Sequence, residues 1–306
     1  MPGGVITTGS HPKALWPGIH AFWGQIYEAH QTEYTDLYSV EDSGKSYEED
    51  VQITGFGLAP FKAEGAPISY DWEIQGAVQR YTHLAYALGY KQTFEELRDN
   101  LYEVISMRRA RANAFSIAQT LENIGASVYN DAFTGAVFTF GTGATLVSAS
   151  QVNATGGTFS NRLTPDADLS EASLEDIAIQ AMGLQTDRGL LINIMLESLH
   201  IARQEWFNAN RILKSVLQSD TSSNNINVLK ATNAIPKGIK MNHYFTAPRS
   251  WFVRTNCPNG MQWFWRDHPM FDQDNDFDTK NAKAGTYFRA SAGATDPRGI
   301  LASNGP

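Results

Sequence analysis

The sequence is poor in several features that many proteins of its size depend on. Its 306 residues contain a single cysteine, Cys257, which excludes an internal disulfide and a zinc site built from several cysteines. No apolar run approaches the roughly 20 residues that cross a bilayer, and the start, Met1-Pro2-Gly3-Gly4, lacks the basic and apolar regions of a secretory signal. We therefore expect a chain without a membrane partner, made and used in a cytoplasm, with Cys257 as a buried or idle thiol.

Charge is also scarce. Charged residues make up 18% of the chain, below the roughly 25% of typical soluble domains, and the formal net charge is −8. A protein that grips phosphate backbones needs clustered Lys and Arg, and the dense basic cluster here, Arg108-Arg109-Ala110-Arg111, lies inside a helical pattern. This pattern favours a solvated helix face or a partner for acidic neighbours over a nucleic-acid site.

The motifs of the common enzyme classes are missing. The acidic stretch 272–278 resembles the start of a calcium loop, but Phe277 stands where that loop needs Gly and Lys283 where it needs Glu, which favours a surface turn. No Walker motif, G-x-S-x-G or H-E-x-x-H pair is present. His83 is interpreted as a hydrogen-bonded structural residue rather than a ligand. The sequence predicts no catalytic, cofactor or metal site, and a metal-assisted hydrolase is kept as a third alternative.

The N-terminal part is rich in aromatic side chains. Residues 1–49 mix Gly and Pro with large rings and show no sustained strand or long helix, so they are predicted to form an arm. Such apolar side chains disfavour disorder and need a surface, supplied either by their own domain or by a neighbouring molecule. The aromatic residues are Trp16, Phe22, Trp23, Tyr27, Tyr34, Tyr38 and Tyr47.

Residues 50–80 predict a long two-stranded hairpin. The stretches 51–58 and 68–74 alternate apolar and polar side chains, which is the period of a strand, and the stretch 59–67 between them is dense in Gly and Pro. A two-stranded ribbon alone is marginal in water, so it needs a partner to lie on.

The strongest local signal is a long helix. Thr93-Phe94-Glu95-Glu96 forms a capping box, apolar residues then recur at helical spacing to Val128, and no proline interrupts the stretch before Phe133. A helix of about 36 residues would run on the order of 50 Å, which makes it a spine. The alternative is two helices broken near Gly125.

The rest of the chain predicts a mixed α+β fold with a sheet-rich C-terminal half. A helix is expected from Ser173, with acidic residues in its first turn, and a second helix over Ile201–Leu217. The predicted strands are Leu190–Leu196, Ile239–Phe245, Trp251–Val253, Met261–Trp265 and Gly285–Ala290.

The order of these elements resembles the major capsid protein of tailed bacteriophages with the Hong Kong 97-type fold. From about residue 50 onwards the motifs are similar to those of the Mu-like major head subunit group. The stretch 146–151 and the N-terminal arm depart from that pattern. The matching motifs are Lys62-Ala63-Glu64-Gly65, Ile68-Ser69-Tyr70-Asp71, Tyr81-Thr82-His83, Leu88-Gly89-Tyr90, Tyr129-Asn130-x-Ala132-Phe133, Ser160-Asn161-x-Leu163, Ala167-Asp168-Leu169-Ser170, Ala209-Asn210-Arg211-Ile212-Leu213-Lys214-Ser215 and Asp296-Pro297-Arg298-Gly299.

The resemblance implies a division of the chain into five parts. Residues 1–49 would be the N-terminal arm, 50–80 the extended loop, 81–144 a peripheral domain with the spine helix, 145–255 the axial domain, and 256–306 a return to the peripheral domain. Arm and extended loop would contact adjacent subunits. The residues expected in those contacts are Trp16, Trp23, Phe56, Phe61, Lys62, Glu64, Tyr70 and Trp72.

The same resemblance implies a structural protein of the virion. The chain would assemble with itself into hexamers and pentamers of an icosahedral head that encloses DNA without reading its sequence. Scaffold, portal, protease and decoration proteins are further candidate partners. The main alternative shares the fold: a shell protein of an encapsulin-like nanocompartment.

Overall fold

The structure, a computed structural model, describes residues 23–98, 102–217, 225–276, 278 and 281–305. Trp16 lies outside the described residues. Residues 23–28 are helical. The helices that follow are α1 Tyr34–Leu37, α2 Phe94–Arg98, α3 Tyr102–Asn130, α4 Glu171–Met182, α5 Trp206–Lys214 and α6 Val228–Ala231. The strands are β1 Ser39–Asp42, β2 Tyr47–Ile53, β3 Gln75–Thr82, β4 Leu84–Gln92, β5 Gln151–Val152, β6 Thr158–Phe159, β7 Leu196–Ala202, β8 Ile239–Asn242, β9 Trp251–Thr255, β10 Met261–Asn275, β11 Ala282–Ala294 and β12 Ile300–Ser303.

Two four-stranded sheets carry the fold, in the orders β1-β10-β11-β4 and β12-β9-β7-β8. The first is built on the long antiparallel pair β10 and β11, and the second holds β12 at one edge and β8 at the other. The mixed α+β prediction is confirmed. Residues 300–303, at the end of the predicted return 256–306, pair through β12 with β9 in the second sheet, while β10 and β11 lie in the first. The division into peripheral and axial parts stays a prediction.

The main core lies between the first sheet and the spine helix α3. Trp263 and Trp265 alternate with Phe264 along β10, so both indoles enter the core while Phe264 packs on Tyr81 from the other face. A second core fills the space between the other sheet and helices α4 and α5.

The spine helix confirms the main helix prediction. Helix α3 has 29 residues, which is about 43 Å of rise, and α2 precedes it, with the connecting residues outside the described chain. The Glu96 amide donates to Thr93 Oγ1 at 3.3 Å, as the capping motif predicts. The Glu96 carboxylate, however, accepts two hydrogen bonds from Arg109 at 2.7 and 2.9 Å, and so ties α2 to α3. This pair supports the prediction of an acidic partner for the basic cluster.

The N-terminal segment is part of this core, which corrects the prediction of an arm over all of residues 1–49. Tyr34, Leu37 and Tyr38 are buried against α3. The Glu122 carboxylate of α3 accepts hydrogen bonds from the backbone amides of Glu33 and Tyr34 at 2.8 and 2.9 Å. Burial raises the pKa of Glu122 to about 7. The chain's own domain therefore supplies the surface that these aromatic residues need.

Both helices predicted in the second half of the chain begin at residues other than those predicted. Helix α4 begins after the N-cap Ser170, whose hydroxyl and that of Ser173 form a reciprocal capping box. Ile201 and Ala202 finish strand β7, where Ile201 packs into the second core and Ala202 into the main core. Helix α5 begins only at Trp206. The strand predicted at Leu190–Leu196 is displaced: β7 starts at Leu196, after a turn closed by Gly189 at φ 78°.

The alternative of a helix broken near Gly125 is wrong, since α3 continues to Asn130. Gly125 instead permits a close approach. A Cβ at this position would lie 2.8 Å from the Tyr34 Cβ, which is too near for a real contact, and the Tyr38 hydroxyl donates to the Gly125 carbonyl at 2.6 Å.

We predict that Gly125→Ala lowers the free energy of unfolding by about 1–3 kcal/mol, because the overpacking against Tyr34 outweighs the better helix propensity of Ala. Urea denaturation followed by circular dichroism measures it. Gly24→Ala is the matched control, since no atom lies within 4 Å of its added Cβ, and it should leave stability unchanged or raise it by up to ~1 kcal/mol. Equal effects at both sites would contradict the role of Gly125.

Candidate assembly surfaces

A two-stranded hairpin is present, but its strands are displaced from the predicted stretches. Only residues 51–53 of the stretch 51–58 belong to β2, and the stretch 68–74 lies wholly outside β3. Strands β2 and β3 pair in antiparallel register from Tyr47 opposite Thr82 to Ile53 opposite Gln75. Residues 54–74, which we call the loop tip, contain no regular strand. Side-chain hydrogen bonds hold the two sides of the tip together. Thr54 Oγ1 accepts from the Ile74 amide at 2.9 Å.

Asp71 closes the tip in the same way. Its Oδ2 accepts from the Gly57 amide at 2.8 Å and its Oδ1 from the Trp72 amide at 2.9 Å, and these bonds lower the pKa of the carboxyl. A turn closed by the Ala66 amide on the Ala63 carbonyl at 3.1 Å forms the far end. The tip is therefore a defined shape rather than an unstructured linker.

The tip exposes several large apolar side chains to water. Phe61 is 95% exposed, Tyr70 88% and Trp72 68%. Lys62 and Glu64 are also exposed. An apolar group of this size on a folded domain usually marks a contact with another molecule. The exposed apolar residues of the tip are Phe56, Leu58, Phe61, Ile68, Tyr70 and Trp72.

Trp23 does not belong to such a surface, which corrects its assignment as a contact with a neighbour. Its indole is 4% exposed and stacks on Tyr27 and Phe271, with ring centroids 5.1 and 5.4 Å apart. Its Nε1 donates to Asn113 Oδ1 of α3 at 3.0 Å. The side chain is thus consumed by packing inside its own chain.

The root of the hairpin is fixed to the second half of the chain. Gln52 Nε2 on β2 donates to Asp187 Oδ2 at 2.8 Å, and the Arg188 guanidinium donates to the Trp72 carbonyl. Gly76 on β3 makes room for this contact, because a Cβ there would lie 2.8 Å from the Ala154 Cβ. These contacts set the direction in which the tip projects.

Arg298 fixes the Asp187 carboxylate that Gln52 contacts; we call this set of contacts the anchor. Its side chain is 4% exposed, and its Nη2 donates to Asp187 Oδ1 at 2.8 Å and to Asn153 Oδ1 at 3.0 Å. Its Nη1 lies 3.3 Å from Asp296 Oδ1, and its guanidinium stands over the Phe159 ring at 4.5 Å. One buried cation thus joins the C-terminal segment, the β5–β6 hairpin and the aspartate that receives Gln52. The sequence motif around Arg298 was visible, but its role depends on tertiary contacts.

His83 fixes the bend where the hairpin enters the first sheet, between β3 and β4. It is buried, and its ring nitrogens lie 2.9 Å from Ser291 Oγ and 3.1 Å from Ser43 Oγ. Ser43 Oγ in turn donates to Glu48 at 2.7 Å. Burial lowers the pKa of His83, which favours the neutral ring. The structural interpretation of His83 agrees with these contacts.

The described part of the chain offers no constellation suited to catalysis by a metal. Within it, no group of three His, Cys, Asp or Glu side chains could hold a metal ion, and no helix is long and apolar enough to cross a bilayer. A cleft of about 330 Å³ between β3, β11 and α3 has Arg80 as the one charged side chain of its lining, so it lacks an acid and base pair.

The fold matches solved shell proteins at low sequence identity. The capsid of Myoviridae phage XM1 is 10% identical with a TM-score of 0.53, and the match covers 99% of this chain and 100% of that chain. The capsid of cyanophage P-SCSP1u is 10% identical with a TM-score of 0.54, covering 89% and 87%. A virus-like particle from Pyrococcus furiosus is 10% identical with a TM-score of 0.53, covering 94% and 98%. These likenesses show the Hong Kong 97-type fold.

The sequence itself identifies the family. A family model described as phage capsid protein matches residues 77–303, which is most of the chain. The chain therefore belongs to the phage capsid protein family and is a capsid shell protein, in agreement with the resemblance drawn from its motifs. This match favours the capsid over the nanocompartment. No curated protein sequence matches the chain significantly. The narrower similarity to the Mu-like group stays a prediction.

We predict that Arg298→Ala costs about 3–5 kcal/mol of unfolding free energy, because it leaves the Asp187 carboxylate buried without its cation. Adding Asp187→Asn should restore part of the loss. Arg80→Ala is the control: its 3.6 Å pair with Glu49 is exposed, and it should cost at most ~1 kcal/mol. Thermal and denaturant unfolding measure all three. A loss at Arg298 no larger than at Arg80 would contradict the anchor.

Proposed function

We propose that this chain builds an icosahedral phage head from hexamers and pentamers, in which the loop tip of each subunit lies across a neighbouring subunit. The observation that carries the proposal is the group of exposed apolar side chains on the tip, with Phe61, Tyr70 and Trp72 largely in water. Phe56, Lys62 and Glu64 complete the proposed contact.

The physics of a closed shell favours such a device. Covering a large apolar side chain contributes about 1.5–3 kcal/mol before ordering costs. Many contacts of this size give a stable shell in total, while each remains weak enough to be corrected during assembly. The tip meets a surface different from itself, so the contact is heterologous, and it forms a closed ring when its rotation closes.

The proposed division of labour follows the two sheets. The first sheet and α3 form the peripheral part, and the second sheet with α4 and α5 forms the axial part, to which residues 300–303 also belong. Trp16, which lies outside the described residues, is kept as a proposed contact with an adjacent subunit.

The enclosed DNA is proposed to be held without sequence-specific binding. The net charge of −8 and the pairing of Arg109 with Glu96 disfavour tight binding to the phosphate backbone. The proposal places assembly in the host cytoplasm, with scaffold, portal, protease and decoration proteins as candidate partners, and assigns the chain a structural role without catalysis.

We predict that replacing Phe61, Tyr70 and Trp72 together by Ser abolishes shell formation while the melting temperature of the monomer stays within about 2 °C, because exposed side chains contribute little to monomer stability. The recombinant chain is followed by sedimentation velocity and negative-stain microscopy. Ala63→Ser with Ala66→Ser is the control on the same loop and should assemble normally. Intact hollow shells from the triple variant would contradict the proposed contact.

A further inference from the structure

Helices α4 and α5 of the second sheet each carry an exposed stripe that their own domain does not use. On α4, Asp176, Ile179 and Met182 recur every three residues, with Ile179 68% exposed and Met182 53%. Glu175 lies beside them and is half-buried. This stripe, which we call the acidic stripe, combines apolar side chains with negative charge.

The other stripe has the opposite charge. Four exposed residues follow each other at spacings of three or four, which places them in a line on the outer side of α5 and of the turn before it. They are Arg203, Phe207, Arg211 and Lys214. Phe207 is 77% exposed, and the three cations are exposed as well. We call this line the basic stripe.

The two stripes lie at opposite flanks of the same layer. The inner sides of both helices fill one core on one face of the second sheet. Helix α4 packs near β12, helix α5 near β8, and these strands are the two edges of the sheet. With about 4.8 Å between strands, the edges are roughly 14 Å apart, so the two stripes do not neutralise each other inside one copy.

Among the described residues, the charged side chains of the two stripes form no ion pairs within one copy. In the part of the chain that the structure describes, no ion pair involves Glu175, Asp176, Arg203, Arg211 or Lys214. The preference of helices for acids in the first turn and bases in the last turn accounts for Glu171 and Lys214. It does not account for Asp176 in the second turn, for Arg203 before the helix, or for exposed Ile179 and Phe207.

We propose that the basic stripe of one copy docks on the acidic stripe of a second copy, with Phe207 covering Ile179 and Met182 and the charges pairing around them. The occupant is a second copy because each copy carries both complementary stripes at opposite flanks, and such a pair of surfaces repeats head to tail until the ring closes. The inference rests on the proposed self-assembly and deepens it by assigning the surfaces that close a ring.

The direct test is zero-length crosslinking between copies. Chains grown with ordinary and with ¹⁵N-labelled nitrogen are mixed before assembly and treated with a carbodiimide, which joins an amine to a carboxylate that it touches. We expect peptides of mixed label that link Lys214 to Glu175 or Asp176. Lys237 and Glu197, 2.6 Å apart within one chain, give the same-label control.

The second test reverses charges and restores them. Arg211→Glu with Lys214→Glu should lower the assembled fraction by at least about tenfold, because the two stripes then repel. Adding Glu175→Lys and Asp176→Lys returns the net charge to −8 and should restore assembly to within about threefold of the unchanged chain. Circular dichroism checks that each variant folds.

The outcomes separate this inference from the proposed function. Hollow shells without mixed-label links between the stripes, or without rescue by the fourfold variant, would overturn the inference and leave the shell function standing. Absence of both shells and mixed-label links would overturn both. Mixed-label links with rescue would assign the ring contact to these two helices.

Discussion

The rest of this subunit depends on how the root of the hairpin is held. The loop tip is held through the base of the hairpin, and side-chain contacts fix that base on two sides. The buried Arg298 guanidinium holds Asp187, which receives Gln52 of β2. On the other side, His83 links the end of β3 to Ser43 and Ser291. These contacts give the apolar tip a fixed direction, so a neighbour can meet a preformed surface with little loss of conformational freedom.

The spine helix explains why such a base can be rigid. The N-terminal segment lies along α3, with Glu122 accepting from two backbone amides and Gly125 allowing Tyr34 to come close. The first sheet covers the same helix through Trp263. Contacts of high sequence separation thus meet on one element. The packed sheet and spine helix therefore form a stiff frame, and the loop tip and the helices at the edges of the second sheet are proposed to make the contacts between copies.

The sequence predicted the elements whose signals are local. The capping residue Thr93, the strand at Met261–Trp265 and the Gly- and Pro-rich stretch between the hairpin strands each follow from the residues themselves. The ends of α5 and β7 could not be predicted, because Ile201 suits a helix or a strand equally well and burial in the second sheet decides. The assignment of Trp23 to a contact with a neighbouring subunit was wrong because tertiary packing again decides. Its aromatic character indicates burial but does not say whose surface covers it.

The contacts that fix the base of the hairpin were harder to predict from the sequence than the exposed loop tip. Large apolar residues such as Phe61 and Trp72 stand out in a loop dense in Gly and Pro, whereas Asp187 and Arg298 lie more than a hundred positions apart, with no pattern that pairs them. The opposite charges of α4 and α5 are also local patterns, but only the sheet order places them at opposite flanks.

Hydrogen exchange tests the central claim most directly, because it reports whether the loop tip is covered when copies assemble. The amides of residues 54–74 would be compared by mass spectrometry between the monomer and the assembled protein. We predict fast exchange in the monomer and at least about tenfold slower exchange in the assembly, including peptides around Phe61 and Tyr70. Equally fast exchange of the tip in monomer and assembled shell would show that no neighbour covers it and would contradict the account.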